Sequence, residues 1–82
     1  MQRNEIAGKL VDVMKLAVPD FNEKGLSEDS LLVADLGLSS VGVLYVVIAI
    51  EEFFDIRFDD VGFGDFKTVG DVITYIEAKV NG

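Results

Sequence analysis

Apolar residues recur at helical spacing in three separate stretches of the chain. In the first stretch, Asn4 to Val18, they fall three or four positions apart, at Ile6, Leu10, Val13, Met14 and Ala17. Residues with this spacing share one face of an α-helix, because the helix makes one turn in about 3.6 residues. Val18 precedes Pro19, which disfavours a helical backbone, so the sequence predicts that the first helix ends there.

The second stretch, Ser40 to Phe54, is the most apolar part of the chain. Its predicted core face consists of Val43, Leu44, Val47, Ile50 and Phe54. The opposite face, which is normally polar on a surface helix, carries Val41, Tyr45, Ile48 and Glu52. The pattern therefore indicates either a helix that is enclosed on all sides or an exposed docking patch.

A last helix is predicted after Thr68, because Thr68 and Asp71 have the spacing of a capping box. Apolar residues follow at Val69, Val72, Ile73, Ile76 and Val80, and Asn81-Gly82 is a natural stop. A long connection, residues 19–38, precedes the second helix and is expected to contain a helical turn near Glu28 to Leu32.

A brief helix is also expected from Val61 to Phe66, capped by Asp59 or Asp60. No stretch predicts a strand of convincing length. The predicted fold is therefore all-α, a four-helix bundle with three main helices, one short third helix and a long loop after helix 1. We expect one domain over residues 1–82.

Composition narrows the possible chemistry. The chain has no Cys and no His, which excludes Ser–His and Cys–His catalysis and zinc sites with nitrogen or sulfur ligands. Calcium binding at Asp59, Asp60 and Asp65 is disfavoured, because the EF-hand position that requires Glu is Gly70. Glu51 and Glu52 diverge on a helix and form no catalytic pair. We therefore expect no catalytic residue and no metal site.

Charge and hydropathy restrict the partners. Fifteen Asp and Glu against seven Lys and Arg give a net charge of −8, which opposes nucleic-acid binding and favours partners with basic surfaces.

The longest apolar run, Val41 to Ile50, is about half the length that spans a bilayer, so no membrane span is expected. Nothing at the N-terminus is typical of a secretory signal. We expect a cytoplasmic monomer.

Ser39 and Ser40, at the start of the second helix, allow two interpretations. Serine often caps a helix, because its hydroxyl oxygen accepts a hydrogen bond from one of the first backbone N–H groups. A hydroxyl at the positive end of a helix dipole is also a favourable place for a phosphate. The helical pattern alone leaves both interpretations open.

The segment Leu36-Gly37-Leu38-Ser39-Ser40-Val41, with Ile50-Glu51-Glu52-Phe53-Phe54 at the end of the helix, resembles the acyl carrier protein family. In the family pattern Leu-Gly-x-Asp-Ser-Leu, the modified serine falls on Ser40 and the preceding Asp on Ser39. The resemblance extends to residues 54–58 and 68–72 and covers essentially the whole chain. It implies a four-helix bundle of acyl-carrier type.

The resemblance implies a carrier and not an enzyme. A phosphopantetheinyl transferase is expected to attach 4′-phosphopantetheine from coenzyme A to Ser40, and an acyl group is carried on it as a thioester in fatty acid, polyketide or related biosynthesis. Ser39 would be the helix cap and an alternative attachment site. The expected docking surface for loading ligases and synthase enzymes consists of Val41, Tyr45, Ile48 and Glu52.

Two other functions remain open on the sequence. Asp55-Ile56-Arg57-Phe58 is similar to a segment of D-alanyl carriers, which suggests an aminoacyl or peptidyl carrier. Alternatively, the chain is an unmodified helical interaction module that binds a partner through Val41, Tyr45 and Ile48, with Ser39 and Ser40 serving only as caps.

Overall fold

A computed structural model of the protein describes residues 1–18, 21, 24–58 and 66–81. Within these residues there are three helices and no strand: α1 (Arg3–Ala17), α2 (Ser40–Phe54) and α3 (Val69–Asn81). The prediction of an all-helical protein is confirmed. Residues 61–65, where most of the predicted short third helix falls, lie outside the described residues, as do Asp59 and Asp60. The predicted count of four helices therefore stays a prediction.

The core consists of apolar side chains from all three helices and from the connection before α2. Its most deeply buried members are Ile6, Leu10, Val13, Met14, Ile50, Ile73 and Ile76. Helix α1 packs against both α2 and α3, so it is the element around which the described core is assembled. A fully buried side chain of this size contributes roughly 1.5–3 kcal/mol to stability. No polar or charged residue is buried among the described residues.

The predicted core face of α2 is wrong at one position. Leu44 is 38% exposed, and Val46, at 3%, is buried in its place beside Val43 and Val47. Successive helical residues are about 100° apart, so Leu44 is only about 40° from Ile48 and lies at the edge of the outer face. Phe54 is half-buried, because it lies in the last turn of the helix.

The connection before α2 contains a turn within the predicted range and a helical turn after it. The first of these lies at Glu28 and Asp29 and is closed by the Ser30 N–H, which donates to the Ser27 carbonyl at 3.1 Å. Leu31 then forms an isolated antiparallel bridge with Thr68, and the helical turn begins there, where the Asp35 N–H donates to the Leu31 carbonyl at 3.0 Å. Gly37 has φ of 69°, a left-handed conformation that costs a residue with a side chain about 1–2 kcal/mol. The buried Leu38 then leads directly into α2.

Arg3 joins the start of α1 to the connection and to α3. Its guanidinium donates to both carboxylate oxygens of Glu28, to Glu77 at 3.2 Å and to the Gly70 carbonyl at 3.4 Å. The hydrogen bonds from Arg3 hold the pKa of the Glu28 carboxyl below its ordinary value. Because these groups are at the surface, the contacts fix geometry more than they add stability.

An aromatic cluster closes the space between the end of α2 and α3. The ring of Phe58 lies 4.6 Å from that of Tyr75, and the ring of Phe66 lies 5.5 Å from both. The Tyr75 hydroxyl donates to the Arg57 carbonyl at 3.2 Å. The cluster therefore fixes Phe66 and the residue that follows it.

No described helix combines the length and apolar character that crossing a lipid bilayer requires.

Candidate functional site

Ser39 is the N-cap of α2. Its backbone is extended, and its hydroxyl oxygen accepts a hydrogen bond from the Gly42 N–H at 3.2 Å. Its carbonyl oxygen accepts the Val43 N–H at 2.9 Å. Both acceptors of Ser39 therefore bind the first turn of the helix, which otherwise has N–H groups without partners.

Ser40 is the first residue of α2, and its environment differs from that of Ser39. Its side chain is exposed, and among the described residues its hydroxyl makes no hydrogen bond. The segment before it is fixed, because Leu38 is buried and its N–H donates to the Leu32 carbonyl at 3.1 Å. Ser40 therefore presents an accessible hydroxyl from a rigid position.

The start of α2 is favourable for an anion. Its first turn contains no acidic side chain, so no carboxylate opposes the helix dipole there. A negative group at this end of a helix gains roughly 0.3–1 kcal/mol when exposed. A phosphate on Ser40 would lie where the dipole and the first N–H groups favour it.

An open groove of about 600 Å³ adjoins the two serines, and we call it the Ser40 groove. Its walls come from the connection, from the start of α2 and from the segment before α3: Leu31, Val33, Ala34, Leu38, Ser39, Ser40, Val43, Phe66 and Lys67. The sequence pattern does not indicate Leu31, Val33, Phe66 or Lys67 as site residues. The bridge between Leu31 and Thr68 brings these distant segments together, and no local pattern predicts it.

The outer face of α2 is exposed, as an apolar docking patch requires. Val41 is 68% exposed, Tyr45 65% and Ile48 47%, and Leu44 lies beside them; we call these four residues the α2 stripe. Glu52 is exposed at the far end of the helix. Glu51 does not join it, since its carboxylate accepts the Phe58 N–H at 2.8 Å. An apolar face that ends in the exposed Glu52 is thus open to solvent.

The described residues contain no candidate metal centre. They contain no group of three or more Asp and Glu arranged to hold a metal ion. Asp59, Asp60 and Asp65 lie outside the described residues.

Comparison with known proteins identifies the family. The profile of the phosphopantetheine attachment site matches residues 4–76. The acyl carrier protein of Thermotoga maritima is 34% identical over 80 residues, which cover 95% of each chain. That of Sulfurovum is 41% identical over 68 residues, 80% of this chain and 91% of the relative. The mitochondrial acyl carrier protein of Saccharomyces cerevisiae is 30% identical over 82 residues, which cover 96% of this chain and 66% of the yeast protein.

The chain belongs to the acyl carrier protein family. This confirms the resemblance read from the Leu36–Val41 and Ile50–Phe54 segments, and with it the expectation of phosphopantetheine as the prosthetic group. The three relatives compared above are all described as acyl carrier proteins.

The residues at the start of α2 fit the prosthetic group of an acyl carrier protein. The Ser40 hydroxyl is exposed, the helix dipole there is not opposed by an acid, and the groove beside it is mostly apolar. When bound, phosphopantetheine supplies the thiol that this chain lacks. Ser40 would supply the hydroxyl for its attachment.

Proposed function

We propose that this acyl carrier protein bears 4′-phosphopantetheine on Ser40 and carries acyl groups as thioesters between the enzymes of fatty acid, polyketide or related biosynthesis. The observation that supports Ser40 is the difference between the two serines. The Ser39 hydroxyl is engaged in capping α2, whereas the Ser40 hydroxyl is exposed and makes no hydrogen bond to a described residue.

At this site the chain positions the prosthetic group, and the group supplies the reactive thiol. Ser40 fixes one end of the arm, and the dipole of α2 favours its negative phosphodiester. Ser39 keeps the first turn of the helix intact, so that the attachment point does not fray. The thiol that would carry the acyl group belongs to the arm and not to this chain, which has no Cys.

The partners we propose are a phosphopantetheinyl transferase, a loading ligase and synthase enzymes that dock on the α2 stripe. The stripe is apolar and carries no basic residue, and Glu52 at its end provides one carboxylate for a basic group on the partner. Such a surface is recognised mainly by apolar contact, which salt does not screen.

Three further expectations from the sequence remain predictions. They are a single domain over residues 1–82, a monomeric state and a cytoplasmic location. The location needs a direct test, because one relative, the yeast protein, is described as mitochondrial. Size-exclusion chromatography and cell fractionation test the last two directly.

The attachment site is tested by intact mass. We expect the chain to gain one phosphopantetheine when it is co-expressed with a broad-specificity phosphopantetheinyl transferase. Ser40→Ala should abolish the gain, and Ser39→Ala should retain it. A chain that gains no mass would contradict the carrier function, and a gain that only Ser39→Ala abolishes would move the site to Ser39.

A further inference from the structure

Residues 24–30 of the connection lie on the surface and bury no side chain fully. Leu26 and Ser30 are half-buried, and the other five residues are exposed. Leu32, just beyond them, is buried, and its N–H donates to the Lys67 carbonyl at 2.9 Å. A segment with few buried apolar contacts opens at a lower free energy than the elements around it. We call residues 24–30 the strap.

An apolar groove of about 260 Å³ lies between the strap and α1, and we call it the α1 groove. From the strap, Leu26, Ser27 and Glu28 line it. Its inner wall includes core side chains of α1 and α3 that are almost fully buried: Leu10, Met14 and Ile73. The strap is therefore not tightly packed on α1 at this place, and its movement outward would uncover the core.

The strap is hydrogen-bonded to the first turn of α3. The Glu28 carbonyl accepts the Gly70 N–H at 2.8 Å, and the Ser30 carbonyl accepts the Val69 N–H at 3.0 Å. Val69 and Gly70 are the first two residues of α3, where backbone N–H groups have no partner within the helix. The protection of these two amides from exchange with solvent therefore depends on the strap.

Arg3, in the first turn of α1, joins this helix to the strap beside those hydrogen bonds. Its guanidinium binds both carboxylate oxygens of Glu28 and also donates to the Gly70 carbonyl at 3.4 Å. One side chain thus contacts both residues of the Glu28–Gly70 hydrogen bond. Because the side chains of Arg3 and Glu28 are 36% and 48% exposed, salt screens their attraction.

We propose that the strap opens as one unit with Leu32 as its hinge, and that Arg3 is the latch that holds it closed. Opening separates residues 24–30 from α1 and α3 and uncovers the α1 groove. The chain beyond the hinge stays in place, because Leu38 is buried and its N–H donates to the Leu32 carbonyl at 3.1 Å. The core then becomes accessible from the side of α1 while Ser40 keeps its position. This inference goes beyond the proposed function and does not depend on which group Ser40 bears.

Amide hydrogen exchange of the full chain, followed residue by residue by NMR, tests the strap. We expect the Val69 and Gly70 amides to exchange through one common opening, and faster than the Leu38 amide. Arg3→Gln should speed exchange at Val69 and Gly70 about threefold or more and leave Leu38 nearly unchanged. Salt at about 0.5 M should speed the same two amides in the wild type but not in Arg3→Gln.

Matched variants separate the latch from a general effect of charge. Glu28→Gln removes the other partner and should act like Arg3→Gln. The double variant should exchange no faster than either single variant, because both remove the same contact. Arg57→Gln removes an arginine from another exposed position and should leave both amides unchanged. Thermal unfolding verifies that each variant is folded.

Each contrary result has a distinct meaning. Unchanged exchange at Val69 and Gly70 in Arg3→Gln, or an equal acceleration in Arg57→Gln, would overturn the role of Arg3 as the latch. An acceleration that includes Leu38 to the same extent would indicate loss of global stability and would overturn the local opening. Different rates of opening at Val69 and Gly70 would overturn the strap as a single unit.

Discussion

Thr68 and Asp71 cap the start of α3 reciprocally: the Asp71 N–H donates to Thr68 Oγ1 at 3.1 Å, and the Thr68 N–H donates to the Asp71 carboxylate at 3.1 Å. The same carboxylate also accepts the Lys67 N–H. The spacing of these two residues in the sequence predicted this box, although Asp stands where Glu or Gln is usual. The box therefore fixes both α3 and the segment that lines the Ser40 groove.

Removing the charge of Asp71 should make stability less dependent on pH. The N–H groups of Lys67 and then Thr68 lower the pKa of the Asp71 carboxyl, so the stability it contributes is present above its unfolded pKa and is lost as the pH falls through its lower folded pKa. We expect Asp71→Asn to reduce the free energy of unfolding by about 1 kcal/mol at neutral pH. The difference in the free energy of unfolding between the variant and the wild type should narrow as the pH falls below about 4, because the carboxyl of the unfolded chain then becomes protonated before that of the folded chain.

Urea unfolding between neutral pH and pH 3 measures this difference. Asp12→Asn, an exposed change in α1, is the control and should stay within about 0.5 kcal/mol of the wild type at neutral pH. If the free energy of unfolding of Asp71→Asn differs from that of the wild type by the same amount at every pH, the charge of Asp71 does not contribute to stability as proposed.

The two serines should differ in their effect on stability. Ser39→Ala removes the acceptor for the Gly42 N–H and should cost about 1 kcal/mol. Ser39→Asp keeps an acceptor and adds a negative charge at the helix N-terminus, so it should be more stable than Ser39→Ala by at least that amount. Ser40→Ala should change stability by less than about 0.5 kcal/mol. Thermal unfolding of the unmodified variants tests this order, and a larger loss in Ser40→Ala would reverse the assigned roles.

The same substitution should have opposite effects at two glycines. A Cβ on Gly70 would lie 3.0 Å from the Glu28 carbonyl oxygen, which already accepts the Gly70 N–H at 2.8 Å. Gly70→Ala should therefore displace the connection and destabilise by about 1–3 kcal/mol. A Cβ on Gly8, within α1, meets nothing within 4 Å, so Gly8→Ala should stabilise by about 0.5–1 kcal/mol. Chemical denaturation of both variants tests the signs, and a stable Gly70→Ala would show that the close approach is tolerated.

Docking should depend on the α2 stripe and little on salt. We expect Ile48→Glu to weaken binding to a phosphopantetheinyl transferase at least tenfold, because it places a charge within an apolar contact. Leu16→Glu is the matched control, since Leu16 is the most exposed large apolar residue of α1, at 85%, and should leave binding unchanged. Isothermal titration at low and high salt measures both effects. Strong salt dependence of the wild type would indicate a charged interface instead.

The sequence predicted what depends on local spacing. It predicted the three helices and the cap at Thr68 and Asp71, because helical period and capping act within a few residues. For the face with Val41, Tyr45 and Ile48 it left enclosure and exposure open, and the structure shows that the face is exposed. It misplaced Leu44, since a helix with apolar residues on nearly all sides has no clear boundary between its faces. It predicted the turn near Glu28 but not the helical turn that begins at Leu31. The contact that decides its position, Leu31 with Thr68, joins segments far apart in the chain, and no local rule contains it.

The aromatic cluster has a consequence for how the protein can be observed. The chain has no tryptophan and two tyrosines, so its ultraviolet emission comes from Tyr45 and Tyr75. Tyr45 is in water on the α2 stripe, whereas Tyr75 packs on the rings of Phe58 and Phe66. A soluble quencher such as iodide therefore acts mainly on Tyr45, and Tyr45→Phe isolates the signal of Tyr75. The unlabelled protein thus distinguishes the covering of its outer face from the loosening of its interior by emission alone.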